Sequence, residues 1–134
     1  MSDEAKKPGV RHASYLTPHD LRRLDWACRP VIAAFADVAA YGPHAYLVGS
    51  ALQHADYRDI DVRLILKDKA YKRITGQHPE TPFPNGPRLA LLNVALTTLV
   101  ASSAGLSRPI DFQVQSASEN ATFASSPRCS LGSR

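Results

Sequence analysis

The chain has 134 residues, 44% hydrophobic and 21% charged, with a formal net charge of +4 and a pI near 9.3. That length is enough for one domain with its own core, and the composition is that of a soluble globular protein. The longest apolar run, residues 89–101, is too short to cross a bilayer, so we expect no membrane segment.

The net positive charge favours partners such as nucleic acid or nucleotides, although a solubilising surface excess of Lys and Arg explains it equally well. Residues 1–15 are predicted to be a flexible N-terminus. They contain no apolar stretch typical of a signal peptide, so we expect a cytoplasmic protein with Cys28 and Cys129 as reduced thiols.

The first predicted element is a helix that begins at Pro18, with Thr17 as its N-cap. Apolar residues recur at helical spacing to about Ala40, and Pro30 is predicted to kink or split this helix. Trp26 is expected to pack against the rest of the protein.

Two strands are predicted next, "HAYLVGS" and "DIDVRLIL". The first ends in a turn at Gly49 and Ser50, and in the second the apolar and polar side chains alternate. The charged stretch 67–73 is expected to form one or two helical turns.

Residues 76–87 hold four prolines and are predicted to be a functional or mobile loop. A helix is favoured for residues 89–100, although the β-branched residues there leave a strand as the alternative. The third predicted strand is "RPIDFQVQ", and residues 117–134 are expected to be a Ser-rich tail. The predicted domain therefore comprises residues 16–116.

Three carboxylates, Asp59, Asp61 and Asp111, stand on the polar faces of the second and third predicted strands. Residues i and i+2 of a strand point the same way, about 7 Å apart, so Asp59 and Asp61 are expected to converge. If the strands pair, Asp111 joins them, and Mg²⁺ or Mn²⁺ would offset the repulsion. The simpler interpretation of Asp59 and Asp61 is a solvated strand end or an ion pair with Arg58 and Arg63. For Asp111 it is a turn cap.

The turn at Gly49 and Ser50 is predicted to bind phosphate. Glycine allows a close approach of the backbone, the Ser50 hydroxyl is a donor, and a short helix after the turn would point N–H groups at an anion.

The order of these motifs, "LVGSALQHADYRDIDVRLIL" followed by "PIDFQVQ", resembles the nucleotidyltransferase superfamily with the DNA polymerase β-like palm, in particular its minimal single-domain members. The resemblance implies an α/β (α+β) fold, a small mixed sheet with flanking helices. It implies transfer of a nucleoside monophosphate from a nucleoside triphosphate such as ATP to a hydroxyl, with release of pyrophosphate. Asp59 and Asp61 would hold two metal ions and the triphosphate, and Asp111 would help to activate the acceptor.

The chain departs from that family in two respects. Many members carry a further helical domain, so the acceptor site here is expected to come from the 76–87 loop, the tail, a second copy or a partner chain. Arg58 stands where a small Ser or Thr is often seen, and both Arg58 and Arg63 are candidates for phosphate contacts. The acceptor class stays open among RNA, a protein side chain and a small molecule. The alternative function is a catalytically silent nucleotide- or protein-binding module on the same fold.

Overall fold

A computed structural model describes residues 14–81, 84–121 and 126–132. Most of the predicted flexible N-terminus lies outside the described residues. Its last two residues are described, and the Tyr15 amide donates a hydrogen bond of 2.8 Å to the Ala51 carbonyl.

The described chain forms a mixed α+β fold with a four-stranded sheet, in agreement with the predicted class. Its strands are β1 (Ala45–Val48), β2 (Ile60–Leu66), β3 (Ile110–Ser116) and β4 (Cys129–Leu131), in the spatial order β3-β2-β1-β4. Strand β1 is antiparallel to β2 and β4, whereas β2 and β3 are parallel. The helices are α1 (Pro18–Ala34), α2 (Asp68–Thr75), α3 (Pro87–Ala104) and α4 (Ala117–Ala121).

Helix α1 begins as predicted, because Thr17 Oγ1 accepts a hydrogen bond of 3.1 Å from the Asp20 amide. It continues through Pro30 as one helix and ends at Ala34, so the expected extension to Ala40 is wrong. Pro30 lies on the exposed side of α1, where water can satisfy the carbonyl that loses its partner. Trp26 is on the same side and is 67% exposed, so the expectation that it packs is also wrong.

Helix α3 confirms the helical prediction for residues 89–100, and Gly105 ends it with a left-handed φ of +62°. Its polar side chains cover one edge of the sheet: Asn93 Oδ1 accepts a hydrogen bond from the Val114 amide, and Thr97 Oγ1 accepts one from the Phe112 amide. These bonds protect β3 from pairing with another chain. By length and composition alone α3 could cross a membrane, and only 17% of it is buried inside the structure; one such helix is weak evidence for a membrane span.

In place of the expected Ser-rich tail, the described part of residues 117–134 contains α4 and β4. Cys129 of β4 pairs with Leu47 of β1, and Leu131 pairs with Ala45. All three β4 residues are buried, and the strand covers what would otherwise be an open edge of β1. A three-residue strand in a Ser-rich segment is too short for alternation to reveal it.

The core lies between one face of the sheet and the packed pair of helices α1 and α3. Fully buried side chains from the sheet meet those of the helices there, and they include Leu24, Cys28, Leu47, Val62, Val100, Phe112 and Leu131. The alternation of β2 and β3 then places Asp61, Arg63, Asp111 and Gln113 on the opposite face. The sequence-predicted site residues of these strands therefore share one polar face.

Candidate functional site

A left-handed glycine turns the chain at the end of β1. Gly49 has a φ of +79° and opens a single 3₁₀ turn, Gly49–Leu52, in which the Gln53 and His54 amides both donate to the Ser50 carbonyl at 2.9 Å. A Cβ atom at residue 49 would overlap Oδ2 of Asp61. The turn backbone therefore lies directly against a carboxylate of β2, which is the close approach expected of this glycine.

Two of the three predicted carboxylates are neighbours. Asp61 on β2 pairs with Asp111 on β3 in the parallel register, and on its other side Asp61 lies opposite Val48 of β1. Neighbouring strands are about 4.8 Å apart, so the two side chains leave the same face of the sheet side by side. The second and third predicted strands therefore do pair with their polar faces on the same side, which is the condition under which Asp111 is expected to join Asp61.

Asp59 occupies a different position from the one predicted. Strand β2 begins at Ile60, and Asp59 lies in the exposed segment before it. Among the residues that the structure describes, no three His, Cys, Asp or Glu side chains come together as a ligand group for a metal ion. The structure thus joins Asp61 and Asp111 and leaves Asp59 at the entrance to β2.

The surroundings of Asp61 disfavour its charged form. Burial raises the pKa of its carboxyl group, and the negative charges of Asp111 and Asp59 raise it further, while Arg63 lowers it. An additional cation beside Asp61 would relieve this repulsion. Such a cation would favour the ionised carboxylate.

Arg63 is the cation that the protein itself supplies to this face. Its Nη1 donates to the carbonyls of Val62 and Asp111 at 2.9 and 3.1 Å, and Nη2 lies 3.8 Å from Oδ2 of Asp111. The same Oδ2 accepts a hydrogen bond of 3.2 Å from Gln113 Nε2. These contacts orient the Asp111 carboxylate. Among the described residues, Arg63 therefore forms its ion pair with Asp111, and not with Asp59 or Asp61 as the simpler interpretation predicts.

A cleft of about 290 Å³ opens on the polar face next to the turn at Gly49. The side chains of Arg63 and Arg128 line it together with polar residues, which are Gln53, Gln115, Asn120 and Ser126. Gly49 lines the same cleft and also contacts Asp61, so the cleft adjoins the carboxylate pair.

The remaining predicted site elements lie elsewhere. Arg58 is exposed and is not among the described residues that line the cleft. The described part of the 76–87 loop contacts the far end of β3, where Ser116 Oγ donates a hydrogen bond of 2.6 Å to the Pro79 carbonyl. Ser116 lies five positions after Asp111 on the strand, a distance of about 16 Å. The described loop is therefore remote from the carboxylates.

No family model, curated protein or solved structure matches this chain. The resemblance to nucleotidyltransferases accordingly depends on the motifs and on the site geometry alone.

Sequence reasoning missed the C-terminal part of the site. Arg128 precedes a strand that the sequence does not reveal, and Asn120 belongs to the five-residue helix α4. Gln115 had a detectable signal, because alternation along β3 places it on the same face as Asp111. Glu119 was also missed; burial raises the pKa of its carboxyl group, and the nearby charge of Arg63 lowers it.

Proposed function

We propose that the protein is a metal-dependent nucleotidyltransferase, which transfers a nucleoside monophosphate from a nucleoside triphosphate to a hydroxyl acceptor and releases pyrophosphate. One observation carries the proposal: Asp61 and Asp111 are register partners on adjacent strands, and the Gly49 turn lies against Asp61. This is the juxtaposition that the motif order and the family resemblance imply. Arg63 lines the adjoining cleft, and its positive charge favours a negatively charged ligand there.

The donor set suits a hard divalent cation. Carboxylate oxygens are the ligands that Mg²⁺ and Mn²⁺ prefer. Burial, with smaller contributions from the charges of Asp111 and Asp59, raises the pKa of Asp61, and a cation beside this carboxyl group would favour its ionised form. Asp61 and Asp111 would hold the ion, with Asp59 close enough to affect Asp61 electrostatically. When bound, the ion would stabilise negative charge on the phosphates and lower the pKa of the acceptor hydroxyl.

The residues of the chain have separate parts in the proposed reaction. The acceptor oxygen attacks the α-phosphorus, and the bond from that phosphorus to the oxygen bridging to the β-phosphorus breaks as pyrophosphate leaves. Gln113 and Arg63 hold Oδ2 of Asp111, so we assign its other oxygen, Oδ1, to receive the hydroxyl proton. Gly49 and Ser50 are assigned to the triphosphate, with Arg63 beside them to balance its charge.

The direct test is transfer of label from each α-labelled nucleoside triphosphate in the presence of Mg²⁺ or Mn²⁺. Total RNA, lysate protein and a panel of small hydroxyl compounds serve as acceptors. We expect Asp61→Asn to reduce transfer by about a hundredfold or more, as loss of a metal-holding carboxylate would. Asp37→Asn is the matched control, because Asp37 is exposed and lies in the turn after α1, near the opposite end of β2.

A second candidate function is a silent nucleotide-binding module. The ion pair between Arg63 and Asp111 favours it, because an arginine already occupies part of the place that a metal ion would take. Nucleotide binding without pyrophosphate release by the wild-type protein would support this module. Failure to bind any nucleoside triphosphate in the presence of either metal would exclude both functions.

A further inference from the structure

We propose that the cleft between Arg63 and Arg128 binds a phosphate-type anion, with Arg128 as the residue that holds it. The proposal rests on the proposed function only for the source of that anion, which is either the triphosphate of the nucleotide or a phosphate group of the acceptor. No motif in the sequence predicts a role for Arg128.

The charge of the lining selects an anion. The described residues that line the cleft include two arginines and no Asp or Glu, and its carboxamides add neutral N–H donors. Carboxylates lie just outside this lining: Oδ2 of Asp111 is 3.8 Å from Arg63 Nη2, and the charge of Arg63 also lowers the pKa of Glu119. These carboxylates offset part of the charge of Arg63, and Arg128 is the other arginine of the lining. A polycationic acceptor such as an aminoglycoside would meet two like charges here, which argues against that class of small molecule.

Arg128 is held in place before any ligand arrives. It is 7% exposed, and its guanidinium lies 5.2 Å from the centroid of the buried Tyr46 ring. Strand β4 begins one residue later and pairs with β1, which fixes the backbone of Arg128 beside the cleft. Stacking uses the flat face of a guanidinium, and its five N–H donors lie at the edge, so Arg128 can keep its contacts within the protein and still donate to a phosphate oxygen. A positioned arginine loses little conformational entropy on binding.

An anion in this cleft would also lie near the carboxylate pair of Asp61 and Asp111. Gly49 forms part of its wall and touches Asp61, so a ligand held by Arg128 extends towards the carboxylate pair. The volume of about 290 Å³ is just below the usual range for small-molecule pockets, about 300–1,000 Å³. The site therefore suits the phosphate portion of a nucleotide or a small phosphorylated compound.

Binding of orthophosphate and pyrophosphate, measured by titration calorimetry, tests the site without requiring turnover. We expect Arg128→Gln to raise the dissociation constant about tenfold, as loss of a charged hydrogen-bond donor would. Gln53→Glu is the second variant: Gln53 is exposed, so the fold tolerates the change, and a carboxylate in the lining should weaken binding several-fold. Arg22→Gln, on the exposed side of α1, changes the net charge equally and should leave binding within twofold of wild type.

Two results would overturn the proposal: no binding of either anion by the wild-type protein, or equal binding by all three variants. The source of the anion follows from the transfer assay, because Arg128→Gln would raise KM for the nucleotide if the triphosphate occupies the cleft. It would raise KM for the acceptor in the other case. If the wild-type protein transfers no label but the calorimetric differences hold, the anion site stands and the proposed function fails.

Discussion

At the scale of single residues, Gly49 is constrained both by its left-handed backbone conformation and by the carboxylate of Asp61 beside it. We predict that Gly49→Ala lowers the free energy of unfolding by about 2–4 kcal/mol. About 1–2 kcal/mol of this reflects the left-handed φ of +79°, and the rest the overlap of the new Cβ with the Asp61 carboxylate. Urea unfolding of the two proteins measures the difference.

Gly42 provides the control for this prediction. Its φ of +93° imposes the same kind of backbone cost, but a Cβ there would meet only the His44 ring at an ordinary distance of 3.4 Å. Gly42→Ala should therefore cost about 1–2 kcal/mol. If the two substitutions lower the free energy of unfolding equally, the Asp61 carboxylate does not lie in contact with the turn at Gly49.

Asp61 itself makes stability depend on pH, since its pKa is raised above the ordinary value of about 3.8 by burial and by Asp111 and Asp59. As the pH rises from below that value, the unfolded chain ionises first and is favoured. The folded state therefore loses stability up to the raised pKa, above which the loss is constant. Asp61→Asn should then be more stable than wild type at neutral pH, and the difference should vanish in acid.

Urea unfolding from pH 3 to pH 8 in the presence of EDTA checks this dependence on pH. The chelator matters because a bound divalent cation would stabilise the wild-type protein by itself. Asp37→Asn reports the effect of losing an exposed carboxylate. A difference between Asp61→Asn and wild type that stayed constant across this range would contradict the raised pKa.

At the scale of secondary structure elements, strand β4 decides whether the C-terminal segment belongs to the domain. Leu131 is fully buried, so we predict that Leu131→Ala lowers the free energy of unfolding by about 2–5 kcal/mol. Leu91→Ala on α3, where the leucine is 70% exposed, should change it by no more than about 0.5 kcal/mol. Chemical denaturation of both variants makes the comparison, and equal small effects would mean that residues 129–131 do not pack as a strand.

At the scale of the whole molecule, the two thiols report on the integrity of the core. Cys28 and Cys129 are fully buried, and burial, with the charge of Asp25, raises the pKa of Cys28 to about 12. We predict that a disulfide reagent at pH 8 labels both cysteines only as fast as the protein opens, since reaction needs an exposed thiolate. Two thiols should react at once in denaturant. Immediate labelling of either one in the native protein would contradict the packing of α1 against β4.

The elements that carry most of the predicted site were readable from the sequence because their patterns are long and regular. Alternation over seven residues identified β2 and β3 and the face that holds Asp61 and Asp111. Thr17 and Pro18 likewise marked the start of helix α1 through their own side-chain and backbone chemistry. Local stereochemistry was sufficient in these cases, and the structure agrees with it.

Pairing across the sheet was decided by tertiary structure alone. Strand β4 has only three residues in a Ser-rich segment. It is stabilised by pairing with the open edge of β1, which is more than eighty residues earlier in the chain. Arg128 consequently enters the cleft without any sequence signal, whereas Asp59 falls outside the strand that its spacing suggested. The sequence by itself determined which residues alternate, cap and turn, because those properties depend on near neighbours. Contacts between distant residues depend on two conditions, that the edges of the sheet are covered and that its apolar face is buried. Only the folded chain satisfies both conditions at once.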